Sequence, residues 1–368
     1  MNIGLCGFGV VGRGVYEIVR QRPDMKVKKI LCLEDIQLPD AQTVKDFSEI
    51  LNDPEIDTVV EAMGGLHPSY DFARAALEAG KNVVSSNKAM VCTFYDQLVP
   101  LAAQKGVSLR CTAAVGGGIG WLSELERARR VQTINQVGGI MNGTCNYILD
   151  NMTRLGLGYD EALKQAQKLG YAEANPATDV DGIDTWHKVI LSANVAFGIS
   201  LDKTTVPVSG IRNISAADVD CFKAHGKVCK LISTAKRTED GFSAYVQPTL
   251  VAAGSPEGAV PLNYNLITFI GQTSERMSFY GQGAGRYPTA YNVVQDLVDV
   301  TQGKSFYAPY GAPQAADNQE AHHYYVRGDW EGSIQEDWST GVITAPVPVS
   351  QMHQWVKDHP DAFIAGVD

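Results

Sequence analysis

Two places in this chain hold residues suited to chemistry. The first is the acid-rich run GYAEANPATDVDGIDTWHK, residues 170–188, which leads into a helix. Asp184 and Lys188 stand one helical turn apart, so they share a face. On a wetted helix such a pair contributes about 0.3–0.5 kcal/mol. Here Val189, Ile190, Leu191, Ala193, Val195, Ala196 and Phe197 leave little wetted face. A buried acid–amine pair is costly unless used, so the pair reads as functional. A further lysine, Lys88, follows a strand-like run at residues 82–85. Two amines with two or three acids suit a zwitterionic small molecule.

The second place is the start of the chain. A short apolar run at residues 2–6 meets Gly7-Phe8-Gly9-Val10-Val11-Gly12. The spacing then predicts a helix over residues 11–20 and a strand over 26–33 that ends in Glu34-Asp35. Gly7 permits a tight turn, Gly9 lets backbone approach a pyrophosphate, and Gly12 lets helix and strand pack closely. The helix start supplies N–H donors and a positive dipole end. Glu34 lies about 20 residues past the last glycine, as a dinucleotide-binding turn requires. Its carboxylate can accept from both ribose hydroxyls and would repel a 2′-phosphate, which favours NAD over NADP.

These residues need a scaffold, and the apolar periodicity supplies one. Strands at residues 56–62, 82–85 and 107–112 alternate with helices at 70–79 and 95–105. That alternation implies an α/β fold with a doubly wound parallel sheet. Ligands on such sheets bind beyond the strands' carboxyl ends. Gly64-Gly65, Asn87-Lys88 and Gly116-Gly117-Gly118 all fall there. From about residue 128 the pattern changes. Helices at 159–169 and 183–196 precede two long strands, 230–237 and 242–250, joined by the hairpin signal Thr238-Glu239-Asp240-Gly241. This reads as a second, α+β domain with a mixed sheet. A helix at 291–301 is placed to return to the first domain. The expected division is 1–127 completed by 286–302, then 128–285, then a loop-rich tail, 303–368, with one strand-like run (323–327) and one short helix (349–357).

Composition narrows the function. The chain has 368 residues, 45% hydrophobic and 20% charged, with a net charge of −10. These are globular values, and an acidic chain without a basic run argues against nucleic acid. No apolar stretch reaches the roughly 18–20 residues of a membrane span, and the start lacks a signal-peptide pattern. Seven scattered cysteines without a CxxC fit a reduced, cytoplasmic protein.

The residues resemble the homoserine dehydrogenase family over about residues 1–302. The resemblance rests on GFGVVG, VVEAMGG, VVSSNKAM, VGGGIG, GIMNGTCNYIL, the 170–188 segment and GQGAGRYPTAYNVVQDLVD, in that order. It implies reversible hydride transfer between a nicotinamide and aspartate 4-semialdehyde, giving homoserine. Lys88 and Lys188 would then be the catalytic lysines, with Asp184 orienting Lys188. Glu173 would bind the substrate ammonium, with Asp179 and Tyr171 nearby. Asn142, Gly143 and Thr144 would border the substrate, and Gly283, Ala284 and Gly285 the nicotinamide. A homodimer built through the second domain's sheet is expected. Read alone, Lys88 is also compatible with a solvated lysine after a strand, and Glu173 with a helix cap.

Three departures from the family pattern stand out. Thr112 occupies the place of a usual glutamate, with Ala114 and Gly120 also altered. In the family that segment holds a monovalent cation, for which only the Val115 and Gly117 carbonyls remain as donors. Cys145 stands where a threonine is usual; no histidine is placed to activate it, so it reads as a small packed residue. The tail lacks the βαββαβ alternation of a regulatory amino-acid-binding domain. The altered loop leaves a rival reading, a reductase for another small amino-aldehyde or amino-ketone. A rival of another class is a non-catalytic nucleotide sensor.

Overall fold

The structure, a computed structural model, describes residues 1–304 and 312–368. Of the expected tail, residues 305–311 lie outside the described residues. The chain forms two compact units.

The first unit comprises Met1–Val131, Asn194–Ser200 and the described part of Gln282–Pro313. Its six-stranded sheet runs in the order Gln42–Val44, Lys26–Leu31, Asn2–Cys6, Thr58–Glu61, Asn82–Ser85, Leu109–Arg110. Each neighbouring pair is parallel. Sequence order reverses beside the first strand, which makes the switch point where nucleotides bind. Ile3, Leu5, Val15, Val19, Ile30, Val60 and Val84 form its core. The helix Arg286–Thr301 completes that core with Ala290, Val293 and Leu297. It begins earlier than the apolar pattern showed, because a proline, Pro288, is tolerated in a first turn.

One polar knot crosses this unit. Arg110 is fully buried, and its Nε donates to Asp296 Oδ1 at 3.0 Å. Asp296 also accepts from the Thr112 backbone N–H and hydroxyl, each at 2.7 Å. Burial pushes the Asp296 carboxyl above its usual range, against the pull of Arg110.

The second unit comprises Gln132–Ala193, Leu201–Gly281 and Gln314–Asp368. Its nine-stranded sheet runs Glu275–Gln282, Tyr264–Gly271, Ile134–Ile140, Lys227–Arg237, Phe242–Ala252, Phe363–Val367, Tyr324–Arg327, Val342–Thr344, Ile334–Asp337. The expected hairpin is present, and the Thr238 N–H donates to the Gly241 carbonyl at 3.0 Å.

The tail is more than loops around one strand and a helix. Four of its strands extend the mixed sheet, with Phe363–Val367 parallel to Phe242–Ala252. Tyr324–Arg327 is the strand expected at 323–327; the other three are short, and Ile334–Asp337 is exposed throughout, so no alternation marked them. Asp218, fully buried in the helix Ala216–Ala224, anchors them through Tyr325 Oη at 2.7 Å and Arg327 Nε at 3.0 Å.

Candidate active site

In the second unit the structure gathers Asn142, Asp179, Asp184 and Lys188. The helix Ile183–Phe197 carries the last two. Lys188 Nζ donates to Asp184 Oδ2 at 2.7 Å and to the Met141 carbonyl at 2.7 Å. Both side chains are buried, at 9% and 7% exposure, so solvent screens this pair weakly. Asn142 caps the helix Gly143–Leu155 by accepting from the Cys145 N–H at 2.8 Å. Its amide donates to Asp179 Oδ1 at 2.7 Å and Asp184 Oδ2 at 2.8 Å. One asparagine therefore starts a helix and joins two carboxylates.

Other expected residues are spent differently. A Cβ on Gly143 would lie 2.5 Å from the Asn263 carbonyl oxygen, so this glycine permits close packing. Thr144 donates its hydroxyl to the Tyr171 carbonyl at 2.6 Å. Tyr171 is 40% exposed, and its ring meets Tyr147 edge to face. Glu173 is exposed, its carbonyl accepting from Gln167 at 3.1 Å. It caps no helix: Ala177–Val180 starts at Pro176 without a side-chain cap. Cys145 is fully buried and donates to the Asp179 carbonyl at 3.1 Å. Burial and nearby acids push its thiol well above the usual range, which opposes a nucleophilic role.

In the first unit the glycine turn ends the strand Asn2–Cys6 and opens the helix Val10–Val19. Gly7 has φ +96°, and a Cβ on Gly12 would lie 2.1 Å from the Gly7 carbonyl oxygen. The helix starts at Gly9 with no side-chain cap and no acid in its first turn. Gly9 and Val10 are exposed, Val11 is half-buried, and Phe8 is buried beneath them. An uncapped helix start behind an open glycine fits a nucleotide's pyrophosphate. Glu34 is exposed and pairs with Arg13, Nη2 to Oε2, at 3.1 Å.

The neighbouring strand ends converge on a carboxylate that sequence reading missed. Glu61 is fully buried; it accepts from the Met63 N–H at 2.9 Å and the Ser85 hydroxyl at 2.6 Å. Asn87 donates to the Gly65 carbonyl at 2.7 Å, bringing two expected loops together, and Gly64 lies exposed beside them. Lys88 opens the helix Lys88–Thr93 and is half-buried. Gly117 packs so tightly on Gly283 and Ala284 that a Cβ would lie 2.6 Å from the Gly283 carbonyl. Gly285 starts the helix Arg286–Thr301. The Gly117 carbonyl already accepts from Asn292, which takes one of its two lone pairs from any cation.

A doubly wound sheet with a dinucleotide turn in one unit, and a buried amine–carboxylate pair in the other, define a nicotinamide-nucleotide-dependent oxidoreductase. The family model for the homoserine dehydrogenase NAD binding domain matches residues 7–112, and the homoserine dehydrogenase model matches residues 121–298. The chain belongs to the homoserine dehydrogenase family. Homoserine dehydrogenase of Bacillus subtilis is 34% identical over 84% of this chain and 76% of its own length. That of Lactococcus lactis is 34% identical over 93% of this chain and 84% of its own. The crystal structure of a homoserine dehydrogenase from Thiobacillus denitrificans superposes with a TM-score of 0.87 at 28% identity, covering 100% of this chain and 98% of that one. The protein is an NAD(P)-dependent enzyme that interconverts L-homoserine and L-aspartate 4-semialdehyde. No described helix is long and apolar enough to cross a membrane.

Proposed function

We propose that Lys188 is the acid–base group for this interconversion and that Asp184 orients it. The observation that carries the reading is the buried pair at 2.7 Å, with the Met141 carbonyl as second acceptor. An ammonium has three N–H donors. Two are held by the protein, so the third is set for a substrate oxygen. The bound nicotinamide supplies or accepts the hydride. Lys188 gives a proton to the aldehyde oxygen in reduction and takes one from the alcohol in oxidation. Asn142 keeps Asp184 in place through its amide. Asp179 and Glu173, with Tyr171, are assigned to the substrate ammonium, and Lys88 to charge developing on the reacting oxygen.

On the nucleotide side, Gly7 to Gly12 hold the pyrophosphate, and Glu34 takes the ribose hydroxyls, which favours NAD. Gly64, Gly65, Asn87 and the Gly283–Gly285 stretch border the nicotinamide. The Val115 and Gly117 carbonyls are the donors assigned to a monovalent cation. The protein acts as a cytoplasmic homodimer joined through the mixed sheet. An open cavity of about 300 Å³ on that sheet, lined by residues including Lys236, Tyr245, Thr268 and His322, holds none of the proposed catalytic residues. Steady-state kinetics of Lys188→Ala test the assignment: an unchanged rate of homoserine oxidation overturns it.

A further inference from the structure

We propose that Arg13 is a cofactor-selecting residue that keeps NADP usable despite Glu34. The inference rests on the reading of Glu34 as the ribose acceptor and adds a second, opposing determinant. Arg13 immediately follows the last glycine of the turn. Its Nη2 lies 3.1 Å from Glu34 Oε2, and its guanidinium carbon sits 4.7 Å from the centre of the Phe8 ring. Phe8 is buried, so the guanidinium rests on a fixed surface.

Stability does not explain this arrangement. The two side chains are 41% and 73% exposed, and pairs so exposed contribute about 0–1 kcal/mol. Position does explain it. The carboxylate that would receive the ribose hydroxyls is already held by a guanidinium, so that guanidinium stands where a 2′-phosphate would enter. An arginine fork matches phosphate geometry better than any other side chain.

The local charge agrees. The segment after the strand Lys26–Leu31 carries Glu34 and Asp35. Asp35 pairs with Lys45 Nζ at 2.7 Å, and Lys45 also donates to the Leu33 carbonyl at 2.7 Å. Two acids are therefore balanced by two cations, and the repulsion that Glu34 alone would impose on a phosphate is offset. With NAD, Glu34 turns to the hydroxyls and Arg13 stays on Phe8. With NADP, Arg13 leaves Glu34 for the phosphate. Only exposed side-chain rotations separate the two states.

Titration of the protein with NADH and NADPH, read by nucleotide fluorescence without substrate, tests this. The quantity read is the ratio of the NADPH to the NADH dissociation constant. Arg13→Gln raises that ratio by about tenfold or more, the loss of one charge-assisted contact. Arg13→Lys, which keeps charge without the fork, recovers part of it. Added salt weakens NADPH binding more in the parent protein than in Arg13→Gln. A ratio that moves by less than about threefold in Arg13→Gln, well under one such contact, overturns the proposal. Glu34→Ala in the same assay separates the two ideas: if its ratio is unchanged, the ribose reading fails, whatever Arg13→Gln shows.

Discussion

Lys188 Nζ sits 2.7 Å from Asp184 Oδ2, one turn along the same helix and out of solvent. Asp184 is held in turn by Asn142, which also holds Asp179. An amine fixed in this way has one direction left for a proton. A surface pair of the same spacing would have many. The proposed acid–base role therefore depends on burial as much as on sequence spacing.

Removing the amine tests that dependence. Lys188→Ala lowers kcat by about 10²–10⁴, the usual range for a lost acid–base group. KM for homoserine changes less, because the proton moves only in the reacting state. Asp184→Asn lowers kcat by a smaller factor, since the amine remains but is less well held. A variant that raises KM alone would make Lys188 a binding residue instead.

Substrate choice is a separate question, because Thr112, Ala114 and Gly120 differ from the family pattern. Thr112 is occupied by Asp296, which removes it from substrate contact. Homoserine is therefore expected to outperform a panel of other small amino alcohols in kcat/KM. A better rate with another member of the panel would move the specificity to this loop.

The glycine turn tolerates no side chain at its third glycine. Gly12→Ala places a methyl 2.1 Å from a backbone oxygen, which no rotamer relieves. A destabilisation of about 1–3 kcal/mol and loss of nucleotide binding are expected. Thermal unfolding together with NADH titration reads both. Unaltered binding would mean that the turn is not the nucleotide cradle.

Lys230 gives a pH signature unrelated to catalysis. It is 2% exposed and donates to Asn146 Oδ1 at 2.9 Å and the Val260 carbonyl at 2.8 Å. Burial lowers its pKa from 10.5 to about 8. Between those values the unfolded chain binds more protons than the folded one, so stability rises with pH across the window and levels off above it. Relative to Lys230→Met, the parent protein gains on the order of 3 kcal/mol between pH 8 and pH 10.5. Denaturant unfolding of both proteins across that range measures it; parallel curves would refute the account.

Much of this protein is legible in its sequence alone. The α/β alternation, the glycine turn with Glu34 about 20 residues on, the hairpin at Thr238–Gly241 and the Asp184–Lys188 spacing all follow from local periodicity. Each is determined within a few turns or strands of chain. Folding decided the rest. Asp296 reaches Thr112 across 184 residues, and Asn142 reaches Asp184 across 42. Arg13 meets Glu34 only because two neighbouring strands run parallel. The tail's short strands acquire meaning only as added edges of an existing sheet. Contacts of this kind are set by topology and by the need to satisfy buried polar groups, and no local pattern records either.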